Sequence, residues 1–230
     1  MTLATVLVAA GKGRRLGRDE PKALVEVAGR TLLEHALRRV ELVHAGDIVV
    51  VHPPEHASEF RAVCERFPVT VLVAGGAARS DSVRAGLDVL SGSVRTVAIH
   101  DAARAFTPPV VFTRAIAAVR NGAIAAAPGI AVRDTLKRVK DGQVLGTVPR
   151  EGLWAVQTPQ VFRRDVLETA LRTASGPSTD ELSLVEEARD RGLVEGDVVM
   201  VQGSYRSTKV TYGEDLELAE ELASETLEAP

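Results

Sequence analysis

The sequence is poor in cysteine, in aromatic residues and in extended apolar segments, and each shortage disfavours a class of protein. Cys64 is the only cysteine in 230 residues, so no disulfide can form within the chain, and we expect a reducing, cytoplasmic setting. We interpret Cys64 as a helix-packing residue, with a reactive thiol as the alternative. Aromatic residues make up 3%, which disfavours stacking platforms for single-stranded nucleic acid. The first apolar segment is too short to span a bilayer and follows no charged leader, so no membrane partner is expected.

The charge is nearly balanced, with a formal net charge of -3. No overall basic field therefore favours nucleic acid as a partner, and the arginines near the N-terminus are a local feature. Hydrophobic residues at 45% and charged residues at 26% are typical of a globular protein. The length suits one large α/β domain, so we predict a single domain over residues 1–230.

A glycine-rich stretch directly follows the first predicted strand and organises the rest of the chain. The uncharged apolar segment 3–10 predicts a strand buried on both faces. Glycines after such a strand let backbone N–H groups approach an anion, and cations beside them suit a triphosphate. A tight βα turn with solvated basic side chains is the structural alternative. The glycines and cations concerned are Gly11, Lys12, Gly13, Arg14, Arg15 and Lys22.

The glycine spacing matches neither common phosphate-binding pattern. Gly11, Gly13 and Gly17 form G-x-G-x-x-x-G, one residue longer than the dinucleotide fingerprint. The second predicted strand, 47–51, ends in His52, where that fingerprint requires an acid for the ribose. The Walker pattern is also absent from the sequence. A dinucleotide-dependent dehydrogenase is therefore disfavoured.

Strand and helix patterns alternate through the first half of the chain, which predicts parallel βαβ units. Loops 11–22, 75–82 and 101–104 then fall at the carboxyl ends of strands, where open α/β sheets bind their ligands. The predicted helices are 31–43, 55–67, 80–90 and 109–120, and the predicted strands are 47–51, 69–74 and 95–100. Thr31 and Glu34 have the spacing of a capping box.

The pattern changes after residue 123, where a β-hairpin is predicted. Segments 135–139 and 143–148 alternate in polarity around Asp141-Gly142, a strong two-residue turn signal. Because an isolated hairpin is only marginally stable, we interpret residues of about 131–153 as a β-arm that packs on another subunit. An ordinary surface hairpin on its own domain is the alternative. Helices are predicted at 164–173, from Thr179 to Arg191 and at 214–224, with a strand at 197–201.

Short motifs occur in a fixed order across almost the whole chain. They are AAGKGRRLGRDEPK, GGAARSDSV, HDAAR, VRDTLK, QTPQ, STDE and STKVT. Each alone is a weak to moderate signal, but the ordered set resembles the 2-C-methyl-D-erythritol 4-phosphate cytidylyltransferase family of the non-mevalonate isoprenoid pathway. The resemblance implies a Rossmann-like nucleotidyltransferase fold of the nucleotide-diphospho-sugar transferase type. That fold has three layers, a mostly parallel central sheet, and a protruding β-arm through which a homodimer forms.

The resemblance implies transfer of CMP from CTP to 2-C-methyl-D-erythritol 4-phosphate, with release of pyrophosphate. A phosphate monoester has a second pKa of about 6 and is largely dianionic at neutral pH, so its oxygen needs no general base. The reaction needs positioning and positive charge, which cationic side chains and Mg²⁺, or another divalent cation, would supply. Ribitol 5-phosphate is the alternative acceptor, and a non-catalytic nucleotide-binding protein is the alternative class.

The resemblance also assigns roles to individual residues. Arg15, Lys22 and Lys209 would be the catalytic cations, and Asp101 would hold the metal ion beside the reacting phosphates. The CTP site would be formed by Ala9, Ala10, Gly11, Gly13, Gly76, Ser82, Asp101 and Ala102. The acceptor would be bound by Arg104, Thr135, Arg150, Thr158 and Thr179, with Thr135 and Arg150 reaching from the partner's arm.

Each assignment has a structural alternative. Asp101 could cap the loop that follows it, Lys209 could be a surface lysine, and Arg150 could be a solvated charge on the arm. Thr179 could act only as a helix N-cap. The sequence also departs from the family pattern at Ala77, Ala105 and Pro149, where relatives often carry Asp, Pro and an acid, and a side-chain contact to the ribose at Ala77 is then in doubt.

Overall fold

The computed structural model describes residues 2–11, 13–17, 20–43, 46–176 and 178–227. Arg14, Thr226 and Leu227 are described by their backbone alone, and Lys12 of the predicted phosphate loop lies outside the described residues. The strands are β1 (Thr2–Val8), β2 (Glu26–Val27), β3 (Arg30–Thr31), β4 (Asp47–His52), β5 (Val71–Ala74), β6 (Val94–Asp101), β7 (Ala125–Ala131), β8 (Leu136–Lys140), β9 (Gln143–Val148), β10 (Trp154–Val156), β11 (Gln160–Arg163) and β12 (Val198–Gln202). The helices are α1 (Leu32–Glu41), α2 (Ala57–Cys64), α3 (Arg79–Asp88), α4 (Pro109–Arg120), α5 (Arg164–Thr173), α6 (Glu181–Asp190) and α7 (Glu214–Leu227).

An eight-stranded sheet, in the order β10-β7-β11-β6-β1-β4-β5 with β12 paired to β7, forms the centre of the fold. β1 pairs in parallel with β4 and β6, as the alternation of strands and helices predicts. β11 was not predicted, and it inserts antiparallel between β6 and β7. The sheet is therefore mostly parallel, with an antiparallel strand at its middle.

Helices cover both faces of this sheet and produce the three predicted layers. Along β1 the side chains alternate, so that Leu7 packs towards α1, α2 and α4 while Val6 packs towards α3 and α5. Both side chains are fully buried, which confirms the expectation of a strand buried on both faces. Cys64 is buried in the first of these layers, in agreement with a packing role.

Local capping signals were partly predictive of helix ends. Thr31 forms the expected capping box, in which its side chain accepts from the Glu34 backbone N–H and Glu34 accepts from the Thr31 N–H. For α6 the alternative reading of Thr179 as the N-cap is wrong, because the Asp180 carboxylate accepts the 3.1 Å bond from the Ser183 N–H. Asp180 is a better N-cap than Thr179, because its negative carboxylate also interacts favourably with the helix dipole.

β8 and β9 form the predicted hairpin, which is a two-stranded sheet separate from the central one. Asp141 and Gly142 both have positive φ, at 49° and 78°, as a two-residue hairpin turn of this kind requires. Val139, Val144 and Leu145 leave 54 to 63% of their surface exposed on this arm. In the part of the chain that the structure describes, no helix is long and apolar enough to cross a membrane.

Candidate active site

A cavity of about 610 Å³ lies at the carboxyl ends of β1, β4, β5 and β6. The three loops that the sequence places at this edge of the sheet meet there, as ligand sites of open α/β sheets do. The predicted nucleotide-binding and catalytic residues on its wall are Ala9, Ala10, Gly11, Lys22, Gly76, Ser82, Asp101, Ala102 and Lys209. Pro53, Pro54 and Glu55, which sequence reasoning missed, also line it at the end of β4.

Close packing requires glycine at position 76 of this wall. A Cβ added to Gly76 would lie 2.3 Å from the Cβ of Asp81, inside the first turn of α3. Gly13 lies behind the wall with φ of +66°, and a Cβ there would lie 3.1 Å from the backbone nitrogen of Lys22. Glycine at position 13 therefore lets the loop fold tightly against Lys22.

Two lysines from opposite ends of the chain meet at the cavity. Lys22 donates from Nζ to the Val210 carbonyl at 2.8 Å, and the Val210 N–H donates to the Ala103 carbonyl at 2.9 Å. Burial, and next the charge of Lys209, lower the pKa of Lys22 to about 8. Two cations held this close favour an anionic ligand between them.

Arg15, the third predicted catalytic cation, is not among the described residues that line the cavity. Its guanidinium carbon lies 5.6 Å from the ring centroid of Tyr212. This is cation–π distance, and it places Arg15 beside the segment that carries Lys209.

Asp101 pairs with two cations on the cavity wall. Its Oδ1 accepts from Arg79 Nη2 at 2.9 Å, and its Oδ2 accepts from Lys209 Nζ at 2.7 Å. Burial alone would raise the pKa of Asp101, but the charges of Arg79 and Lys209 hold that pKa far below its usual range. Its carboxylate is therefore ionised, and it pairs with cations instead of capping the following loop.

Arg79 and Glu181 belong to this site, although sequence reasoning missed both. Arg79 Nη1 donates to the carboxylate of Glu181, whose side chain is 2% exposed. The motif GGAARSDSV contains Arg79, but its two carboxylate partners lie 22 and 102 residues away in sequence. No local pattern indicates contacts of that range.

The predicted acceptor residues fall into two groups. Thr158 lies under the site, where its hydroxyl accepts from the Asp101 N–H at 3.1 Å and lies 2.9 Å from His100 Nδ1. Burial lowers the pKa of His100 to about 3, so its ring is neutral. Arg104 donates to the carbonyls of Ser207, at 2.7 Å, and Val156, at 3.3 Å.

The second group comprises two arm residues and one residue before α6. Thr135 and Arg150 are on the arm, and, like Arg104 and Thr158, they are not among the described residues that line the cavity of the same chain. Arg150 bonds to the Arg133 carbonyl instead. Thr179 is exposed, one residue before the α6 N-cap.

A divalent cation fits this donor set as a partner shared with a phosphate ligand. Mg²⁺ is commonly held by one or two carboxylates together with substrate phosphates and water. Asp101 supplies one ionised carboxylate on the cavity wall. Within the described ranges, no group of three or more His, Cys, Asp or Glu side chains could hold a metal ion by itself.

Comparisons of sequence and of structure with known proteins point to the same family. A family model described as IspD, 2-C-methyl-D-erythritol 4-phosphate cytidylyltransferase, matches residues 3–225. A 2-C-methyl-D-erythritol 4-phosphate cytidylyltransferase of Frankia casuarinae is 43% identical, over 96% of this chain and 80% of that protein. A bifunctional enzyme IspD/IspF of Clavibacter michiganensis is 45% identical over 96% of this chain, which spans 54% of that longer protein.

Solved structures show the same likeness. The crystal structure of 2-C-methyl-D-erythritol 4-phosphate cytidylyltransferase from Thermus thermophilus has a TM-score of 0.78 and 32% identity, covering 95% of this chain and 98% of that one. The 4-diphosphocytidyl-2C-methyl-D-erythritol synthase of Anaerococcus prevotii has a TM-score of 0.82 and 26% identity, covering 97% and 98%. The match covers the predicted fold over nearly its full length.

Proposed function

The chain belongs to the 2-C-methyl-D-erythritol 4-phosphate cytidylyltransferase family, and we propose that the cavity at the carboxyl edge of its sheet is the active site. The reaction is CTP-dependent cytidylyl transfer to 2-C-methyl-D-erythritol 4-phosphate in isoprenoid biosynthesis. One observation carries the assignment. Lys22, Lys209 and Asp101 converge on a glycine- and alanine-lined cavity that is large enough for a nucleotide.

The chemistry requires no base from the protein. An oxygen of the acceptor phosphate attacks the α-phosphorus of CTP, and a new P–O bond forms in line with the bond that breaks. The electron pair of the broken bond leaves on pyrophosphate. Because the acceptor phosphate is already largely dianionic at neutral pH, the protein contributes position and positive charge.

Cationic side chains act on the charge that the reaction moves. Lys22 and Arg15 would stabilise the transition state and the leaving pyrophosphate, and Lys209 would hold the α-phosphate. Mg²⁺, held by Asp101 and the phosphates, would neutralise part of the triphosphate charge when bound. The close spacing of Lys22 and Lys209 through Val210 supports this division.

Recognition of cytidine falls to backbone groups and small side chains. Ala9, Ala10, Gly11, Gly76, Ser82 and Ala102 all line the cavity. Their small side chains leave backbone groups open to a ligand, and close packing of Gly76 on Asp81 allows no larger residue there. This supports selection of a pyrimidine by shape and by backbone hydrogen bonds.

The acceptor side would be completed by a second copy of the chain. Thr135 and Arg150 lie on an arm whose strands form a sheet separate from the central one, and they do not line their own cavity, which supports a homodimer in which each arm serves the partner's site. The exposed valines and leucine of the arm supply apolar surface for that contact. Arg104, Thr158 and Thr179 would hold the acceptor from its own subunit. The lone cysteine supports a reducing, cytoplasmic setting.

The test is pyrophosphate release from CTP and Mg²⁺, with 2-C-methyl-D-erythritol 4-phosphate and ribitol 5-phosphate assayed in parallel. Controls omit the acceptor or replace the enzyme with Lys209→Ala. Release with the first acceptor alone is expected. Release with ribitol 5-phosphate alone would mean that the acceptor has been wrongly assigned, while the CTP site stands. Release with neither acceptor would refute the assignment.

A further inference from the structure

Four charged side chains form a continuous ion-pair chain from the protein interior to the cavity. Glu181, at the start of α6, pairs with Arg79 at the start of α3, and Arg79 pairs with Asp101 at the end of β6. Asp101 in turn pairs with Lys209. Glu181 at the inner end is 2% exposed and Lys209 at the cavity end is 38% exposed, with Arg79 and Asp101 between them at 25% and 10%.

Asp101 is held very differently by its two cations. Arg79 reaches Oδ1 with both Nε, at 3.3 Å, and Nη2, at 2.9 Å, while its remaining Nη1 is fixed by Glu181. Lys209 makes a single 2.7 Å contact to Oδ2 through a flexible stem. A planar guanidinium that bridges two carboxylates is a fixed partner, whereas an ammonium group is a mobile point charge.

The ligands of the proposed reaction act on the two ends of the Asp101–Lys209 pair. A triphosphate in the cavity would attract Lys209, and a divalent cation would attract the carboxylate of Asp101. If Lys209 moves to the phosphate, both attractions are satisfied at once. Asp101 then keeps its orientation only because Arg79 remains attached to it.

We propose that Arg79, anchored by Glu181, is a positioning residue that fixes Asp101 while Lys209 exchanges from Asp101 to the phosphate of CTP. This inference rests on the proposed function of the cavity. Arg79 acts on the reacting groups through Asp101, and Glu181 acts through Arg79. Neither Arg79 nor Glu181 was predicted from the sequence motifs. Substituting them should reduce the gain in CTP affinity that Mg²⁺ provides.

The experiment compares Arg79→Gln, Glu181→Gln and the double variant with the wild-type protein. CTP binding is measured by titration calorimetry without acceptor, with and without Mg²⁺, beside steady-state kinetics. We expect the Mg²⁺-dependent gain in CTP affinity and kcat each to fall by about 10- to 100-fold, as loss of an outer partner of a metal ligand does. The acceptor KM should change less than about twofold, since the acceptor residues do not contact Arg79.

Three comparisons separate positioning from general damage. Arg84→Gln is the matched control, because Arg84 lies on the same helix and its pair with Asp81 is exposed. Arg79→Lys should recover part of the loss, since it restores the charge but not the fork. The double variant should lose no more than Arg79→Gln alone, because Glu181 acts only through Arg79.

The double variant also guards against misfolding, since it leaves no unpaired charge in the interior. An unchanged Mg²⁺-dependent gain in the folded double variant would overturn the proposal. So would a further loss when Glu181→Gln is added to Arg79→Gln. Absence of wild-type turnover would instead refute the proposed function, so the two failures are distinguishable.

Discussion

Lys22 donates a 2.8 Å hydrogen bond to the carbonyl of Val210, a residue 188 positions later in the chain. The bond places the Lys22 ammonium beside Lys209, where burial and like charge lower its pKa to about 8. Lys209 and Arg15 push the pKa down, and Asp101 and Asp215 oppose them. Lys22 is thus still a cation at neutral pH, but it loses its proton more readily than an ordinary lysine, and a bound anion would raise its pKa again.

This relationship predicts a pH dependence of CTP binding. Because the pKa of Lys22 is lowered to about 8 in the free protein, the lysine is charged below that pH and loses its proton above it. CTP binds the charged form, so KM for CTP should be flat from pH 7 to about 8 and rise about tenfold per pH unit well above it. Lys22→Arg should remove the rise while keeping a charge, as kcat/KM profiles would record. Identical profiles for the two proteins would contradict the assignment.

Lys209 should affect turnover more than folding. Its side chain is 38% exposed and pairs with Oδ2 of Asp101. Lys209→Gln should lower kcat by at least about 10²-fold, as loss of one transition-state charge contact does. Tm should fall only modestly, because Asp101 loses one cationic partner but keeps Arg79. Arg163→Gln, which breaks an exposed ion pair with Asp165 outside the cavity lining, is the control. A kcat within threefold of the wild-type value would mean that Lys209 is not a catalytic residue.

Gly13 should matter for both stability and nucleotide affinity. At φ of +66°, Gly13→Ala forces an L-residue into the left-handed region, which costs about 1–2 kcal/mol of stability. Its Cβ would also press on the backbone of Lys22, so KM for CTP should rise. Gly29→Ala is the control, because Gly29 has φ of +71° with open space around it. Denaturant titration should show similar losses for both, and only Gly13→Ala should raise KM.

Mixing two defective chains tests whether the arm serves the partner subunit. Arg150→Ala removes an arm contact, and Lys209→Ala removes a cation of the cavity. If the arm acts across the dimer, mixed dimers contain one intact site, and activity should return to up to about a quarter of wild type after subunit exchange. Each variant alone should stay inactive when the acceptor concentration is set near the KM of the wild-type protein. No recovery in verified mixed dimers would mean that the arm serves its own chain.

The sequence predicts those features that depend on near neighbours. The capping box of Thr31 and Glu34, the Asp141-Gly142 turn and the start of α4 at Pro109 all follow from residues within a few positions. The three loops at one edge of the sheet also follow, because parallel βαβ units place strand ends together. The wall of the candidate site was therefore accessible to prediction.

The missed features depend on distant partners. β11 has only four residues, QVFR, and nothing in them indicates insertion between β6 and β7. α2 begins at Ala57, later than predicted, because Pro54 starts a short 3₁₀ turn first. The role of Glu181 depends on Arg79 from another helix. The sequence alone does not distinguish a buried glutamate from an exposed one.

The contact of Lys209 with Asp101 joins residues 108 positions apart, and it has a consequence during synthesis. The strands β1, β4, β5 and β6 leave the ribosome early, so the sheet edge and its glycine loops can form on a nascent chain. The last cation of the cavity arrives only when residue 209 emerges. A growing polypeptide would therefore acquire affinity for a nucleotide late, after most of its core is in place. Binding of a nucleotide would then indicate that the chain has been synthesised past residue 209.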